Sequence, residues 1–250
     1  MATKIPEAIK YPRELTLPPP WREALGAHLT FVASEDFRQT TMVVPSPPFP
    51  PGPPMDHGPQ MPSLGKDVLR KAALDARKAF VATLSDAQKA RLEKRLAERL
   101  TALLAEATVV GGYAAIGSEI SVAAAMEEAR AVGSIVAYPG FRDPGKPFEI
   151  LAGDPCDSGP YGILQPKKKN ASVDPDVILV PLIAVDPAGT RLGRGKGHYD
   201  RALAGMRRRG GRLIGVGWDM QLLADTIPPD EWDVPIDAFA APGGVTWFRT

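Results

Sequence analysis

Two hundred and fifty residues suit one sizeable domain with an appendage, and a 44% hydrophobic share is ordinary for a soluble globular protein. A formal net charge of +1 gives no reason to expect broad attraction to nucleic acid or a membrane surface. Cys156 is alone, which excludes an intrachain disulfide; no apolar run nears the ~20 residues a bilayer needs, and Lys4, Glu7 and Lys10 interrupt any secretory-type segment, so a cytoplasmic location is expected.

Residues 1–62 differ from the rest. Fourteen of the 27 prolines lie there, seven of them between Pro45 and Pro54. Proline removes backbone donors, so 44–62 is expected to be an extended, polyproline-like linker. Trp21–Phe37 suits one short helix with Trp21, Leu25 and Leu29 on a face. The segment reads as a partner-binding arm, a strap around the main domain or a loosely ordered extension. From Ser63 to Ala105 the pattern is helical, with Leu69, Ala72, Ala73, Ala76 and Phe80 at helical spacing. A break is expected at Thr83-Leu84, followed by a capping box over Ser85–Gln88. Arg91, Glu93, Lys94, Arg95, Glu98 and Arg99 form a solvated face of the second helix.

Thr108–Ile116 predicts a strand, 117–119 a turn, Ser121–Ala131 a helix and Ser134–Tyr138 a second strand ending at Pro139-Gly140. Phe148–Ala152 is a short strand, and Lys167–Lys169 a solvated basic triplet. His198–Arg209 predicts a helix, ended in ordinary fashion by Arg207–Arg209 and Gly210-Gly211 rather than marked for RNA. Arg212–Trp218 is a further strand. This alternation predicts an α/β domain over 63–250: three layers, with a mostly parallel sheet carrying helices on both faces. The Pro-rich extension over 1–62 precedes it. Ligands of such sheets gather at the carboxyl ends of the strands.

The richest stretch is Val177–Leu203. Val177–Val185 is a nine-residue apolar run broken only by Pro181, as suits a strand buried on both faces. Asp186–Gly189 is a turn signal. Gly193, Gly195 and Gly197 then alternate with Arg194 and Lys196 ahead of a helix start. Glycines admit close backbone approach, and cations at a helix N-terminus add positive potential, so the simplest ligand is a polyphosphate. It is not a Walker loop, because Gly197 follows Lys196 and Thr190 stands where the first glycine belongs. His198 likewise breaks the dinucleotide fingerprint.

The run Arg191–Asp200, with Val180-Pro181 and Asp186 before it, resembles the signature of the 5-formyltetrahydrofolate cyclo-ligase family. Lys66-Asp67-Val68-Leu69-Arg70 is similar to the family's N-terminal ATP-contacting pattern, and 162–166 to its Gly-Ile-x-Glu/Gln-Pro segment. The resemblance implies ATP contacts at Lys66, Arg70, Arg191, Gly193, Arg194, Gly195, Lys196, Gly197, His198 and Tyr199. It implies catalysis at Arg194 and Lys196, and folate contacts at Glu119, Arg194, Lys196 and His198. Asp200 and Asp233 would bind Mg²⁺, whose preference for hard oxygen ligands fits. ATP is the implied co-substrate, and the implied reaction closes 5-formyltetrahydrofolate to 5,10-methenyltetrahydrofolate. An enzyme with a non-folate substrate on the same scaffold and a nucleotide-binding protein without turnover are the alternatives. Small-molecule partners are expected, without nucleic acid or membrane, and a protein partner for the N-terminal arm stays open. The chain departs from the family pattern at His198, usually aromatic, and at Leu182 and Val185, commonly Gly and Phe. Gly140 stands where Arg is frequent, with Arg142 a nearby substitute.

Overall fold

The computed structural model describes residues 65–143, 146–195 and 197–248. The extension over 1–62, with its expected helix at Trp21–Phe37, lies outside the described residues, as do Lys196 and the side chain of His198.

Two helices come first, α1 over Lys66–Ala82 and α2 over Asp86–Leu104. The break falls where expected. Gln88 N donates to Ser85 Oγ at 3.3 Å, and Ser85 N donates to Gln88 Oε1 at 2.8 Å, which closes the capping box. Leu92, Leu96, Leu100 and Leu104 recur every fourth residue and are all buried, while most of the charged residues of α2 face water.

Strands β1 (Val109–Gly111) and β2 (Ile135–Gly140) flank helix α3 (Ala123–Ala131), and β3 (Glu149–Ala152) follows. Next come a small hairpin of β4 (Asp157–Ser158) and β5 (Leu164–Gln165), then β6 (Val177–Pro181). A second hairpin pairs β7 (Ala184–Val185) with β8 (Arg191–Leu192). Helix α4 (His198–Arg208), β9 (Arg212–Val216), β10 (Ala238–Ala241) and β11 (Gly244–Trp247) come last. Seven strands form one sheet in the order β11-β10-β9-β6-β1-β2-β3. The five inner strands are parallel, and β3 and β11 are antiparallel edges.

Side chains alternate across a strand, and the two cores follow that period. Val177 and Leu179 of β6 pack with leucines of α2 and with Met126 of α3. Ile178 and Val180 pack on the other face with Leu203 and Met206 of α4. Helices thus cover both faces. Each fully buried side chain of this size contributes roughly 1.5–3 kcal/mol by leaving water.

Two expected strands are shorter than their apolar runs. The 108–116 strand ends at Gly111, and only Gly112 N continues the pairing, donating to Ala137 O at 2.8 Å. A Cβ at Gly112 would lie 2.7 Å from Met126 Sδ, so glycine there lets α3 seat against the chain. The 177–185 run splits at Leu182-Ile183. Pro181 has no N–H to continue a ladder, and the Leu182 carbonyl instead accepts from Gln221 Nε2 at 2.7 Å and Arg77 Nη1 at 3.1 Å. Asp186 closes the hairpin that follows, accepting from Ala188 N, Thr190 N and Ile227 N at 2.8–2.9 Å.

Candidate active site

β1 and β6 are neighbours in the sheet, yet the chain proceeds outward from them in opposite directions. Crossovers of one hand then put α3 and α4 on opposite faces and open a crevice at the carboxyl ends of these two strands. A cavity of about 590 Å³ lies there. Tyr113 and Ala114 beyond β1, Pro139 and Phe141 at the end of β2, and Pro181 and Leu182 at the end of β6 all line it.

One end of the cavity is ionic. Lys66 opens α1 and donates through Nζ to Asp230 at 2.6 Å and Asp233 at 2.5 Å. Burial pulls its pKa down, but these two carboxylates outweigh burial and leave it above the ordinary lysine value. One turn along the same face, Arg70 Nε donates to Gly193 O at 2.7 Å, and its Nη1 pairs with Asp67. Arg191 is buried and paired with Asp200, the third residue of α4. Burial lowers the Arg191 pKa, Asp200 opposes that, and the guanidinium remains a cation. Its Nε is buried without an acceptor, which leaves one donor unused beside the cavity.

The glycine loop borders this end. Gly195 and Gly197 have φ of +82° and +61°, the left-handed region that L side chains rarely enter. Gly197 immediately precedes α4 and offers no side-chain cap, so the first N–H groups of the helix are left for another acceptor. Gly195→Ala is expected to cost about 1–2 kcal/mol through its backbone. The new Cβ would also sit 3.2 Å from the Arg70 guanidinium carbon. A lowered thermal midpoint should be seen, together with weaker polyphosphate binding. Gly244→Ala, which meets nothing within 4 Å and lacks a left-handed φ, should change neither.

The other end is aromatic and apolar, with Tyr113, Phe141, Phe148, Ile163 and Leu164. Gln165 Oε1 accepts from Phe141 N at 3.0 Å and fixes that wall. Tyr199, the second residue of α4, turns its ring edge-on to Phe148 with centroids 5.0 Å apart. Burial raises the pKa of Tyr113 and Tyr199 above the ordinary phenol value, so neither is a base near neutrality. Between the two ends sits Glu119. Its Oε2 accepts from Ile116 N at 2.9 Å, and its Oε1 accepts from Arg194 Nη2 at 2.9 Å and Nε at 3.3 Å.

Among the residues singled out in the sequence, Lys66, Arg70, Glu119, Arg191, Gly193, Arg194, Gly195, Gly197, Tyr199, Asp200 and Asp233 all line this one cavity. The departures from the family pattern separate in space. Leu182 lines the cavity and Val185 does not. Arg142 is no stand-in at the site: it binds Glu149 and the carbonyls of Lys168 and Asn170. Asp230, Arg201 and Trp232 also line the cavity without having been singled out. Arg77 was missed as well. It is buried and donates to Ser118 Oγ at 3.0 Å and to Leu182 O, bracing the turn that carries Glu119. Its spacing from Lys66 and Arg70, eleven and seven residues, places all three on one helical face and was the available signal.

This geometry defines a doubly wound α/β protein with a cationic, glycine-bordered crevice at its switch point and an aromatic recess beside it. The model of the 5-formyltetrahydrofolate cyclo-ligase family matches residues 62–242, and the chain belongs to that family. The 5-formyltetrahydrofolate cyclo-ligase of Escherichia coli K12 is 40% identical over 70 residues, which cover 28% of this chain and 38% of that protein. The protein of the same name from Mycolicibacterium smegmatis is 29% identical over 187 residues, 71% of this chain and 93% of the relative. The solved 5,10-methenyltetrahydrofolate synthetase of Aquifex aeolicus superposes with a TM-score of 0.62 at 28% identity, covering 75% of this chain and 94% of that one. A Mycoplasma pneumoniae synthetase shares the fold at a TM-score of 0.57 and 23% identity, over 72% of this chain and 99% of that chain.

Proposed function

We propose that this protein is a 5-formyltetrahydrofolate cyclo-ligase that uses ATP and Mg²⁺. The observation that carries the proposal is the sharing of one cavity by the cationic glycine loop, two aspartates, Glu119 and an aromatic recess. A formyl oxygen is a poor leaving group. In the proposed reaction that oxygen attacks the γ-phosphorus of ATP, and ADP departs. The second folate nitrogen then adds to the formyl carbon, the carbon–oxygen bond breaks and the oxygen leaves with phosphate. That nitrogen gives up its proton, and the methenyl ring remains.

Phosphoryl transfer needs alignment and charge neutralisation more than covalent help. Lys66, Arg70, Arg191, Arg194 and Lys196 offset phosphate charge on this reading. The loop from Gly193 to Gly197 and the open N-terminus of α4 supply backbone donors, with His198 and Tyr199 alongside. Glu119 accepts from the aminopyrimidine edge of the pterin. Its Oε1 now takes both bonds from Arg194, so folate entry exchanges that partner and turns Arg194 toward the phosphates.

The donor set suits magnesium. Asp200 and Asp233 offer hard carboxylate oxygens, and the ammonium of Lys66 between Asp230 and Asp233 marks a point that attracts cations. The described residues contain no group of three or more His, Cys, Asp or Glu able to hold a metal. A metal held by one or two carboxylates plus phosphate oxygens and water is the usual arrangement for Mg²⁺. Asp200 and Asp233 would hold such an ion, and it would supply positive charge to offset that of the phosphates.

A second reading, an ATP-using enzyme with a different acceptor, is favoured by Leu182, a branched side chain on the cavity wall where the family commonly has Gly. The methenyl chromophore decides between them. It should appear from 5-formyltetrahydrofolate only with both ATP and Mg²⁺. ATP binding without any chromophore would support the second reading.

A further inference from the structure

One part of the cavity has no role in that scheme. The indole of Trp232 lines it, yet the residue is 69% exposed. No aromatic ring among the described residues packs against it. An indole left in water at a ligand site is apolar area waiting for a flat partner. Its mounting is firm. Asp230 N donates to Asp233 Oδ2 at 2.9 Å, and Asp233 N donates to Asp230 O at 3.0 Å, closing a tight turn with Trp232 inside it. Lys66 then ties both aspartates to α1.

That placement puts Trp232 at the ionic end. The turn reaches the glycine loop through α1, because Lys66 holds the turn and Arg70 holds the Gly193 carbonyl. The aromatic recess of Tyr113, Phe141 and Phe148 lies at the other end and already offers a planar folate ring its own walls. Cations and backbone donors recognise only a polyphosphate tail. They do not distinguish a nucleotide from inorganic polyphosphate. In the proposed scheme Asp233 meets the phosphate tail through the metal, and the indole one residue before it offers an uncharged face to a flat base.

We propose that Trp232 is the platform on which the base of the nucleoside triphosphate stacks, so that the nucleotide is recognised at its base as well as its tail. This rests on the nucleotide reading above. The test compares binding of Mg·ATP and Mg·tripolyphosphate to the full chain by calorimetry, alongside the KM for 5-formyltetrahydrofolate. Trp232→Ala should weaken ATP about 5- to 150-fold, the span of base–aromatic stacking. Tripolyphosphate affinity should move less than about twofold, because it has no base to stack. Trp232→Phe, which keeps a π-face, should recover most of the loss. Equal losses for both ligands, or no loss for either, would overturn the platform. A higher folate KM with unchanged ATP affinity would give the indole to the pterin and overturn it too. If the unaltered protein binds neither phosphate ligand, the nucleotide reading fails, and the platform with it.

Discussion

Replacing Asp200 by Asn should lower fold stability by about 3 kcal/mol and turnover about a hundredfold, the latter equal to roughly 2.7 kcal/mol of barrier at 1.36 per decade. The stability loss comes from Arg191. Its side chain is 5% exposed, Asp200 is its ion-pair partner, and its Nε already lacks an acceptor. Removing the carboxylate charge strands a buried cation, which typically costs about 3–5 kcal/mol. The lower end applies because water reaches Asp200, whose side chain is 18% exposed. The turnover loss comes from the proposed metal role, and the Mg²⁺ concentration giving half-maximal rate should rise. Pairing Asp200→Leu with Arg191→Met should restore most of the stability, since apolar residues can replace a buried pair, but not the turnover. Denaturant unfolding and a magnesium titration separate the two effects. An unmoved magnesium requirement would remove Asp200 from the metal site.

Trp218→Ala should destabilise the fold by about 3–5 kcal/mol, as expected when a large buried ring is deleted. Trp218 is 1% exposed and meets Phe80 of α1 edge-on, with centroids 5.6 Å apart. Its Nε1 donates to Ser118 O at 2.9 Å, one residue before Glu119. Its backbone N donates to Gln221 Oε1 at 2.8 Å, and Gln221 Nε2 donates in turn to the carbonyls of Leu182 and Ile183. The ring therefore joins α1 to the turn carrying Glu119, while the Trp218 backbone reaches the bend after β6 through Gln221. Trp218→Phe should cost about 1–3 kcal/mol, because the Ser118 carbonyl is left without its donor. It should also raise the folate KM more than the ATP KM, since the Glu119 turn loosens first. Trp247, 54% exposed on the edge strand β11, provides the contrast: its replacement by Ala should stay within about 0.5 kcal/mol. A shift in denaturant midpoint at constant slope is the measurement.

What the sequence determined by itself was local. The break between α1 and α2 was legible because a capping box is written in four consecutive residues. The glycine loop was legible because positive φ at Gly195 and Gly197 demands glycine whatever surrounds it. Burial of β6 on both faces followed from its unbroken apolar run. Strand ends were less legible: the apolar runs continue past Gly111 and Pro181, and only the second end carries a residue-type mark, the missing N–H of Pro181. Only the tertiary structure decided the site's pairings. Lys66 meets Asp230 and Asp233 across more than 160 residues, and Arg194 meets Glu119 across 75. It also decided that Leu182 faces the cavity while Val185 does not, and that Arg77 is buried rather than solvated. The reason is one of range. Helix starts, turns and pleats depend on backbone torsions a few residues long, whereas these contacts depend on strand order and on the face each crossover helix takes, which no short run of residues encodes.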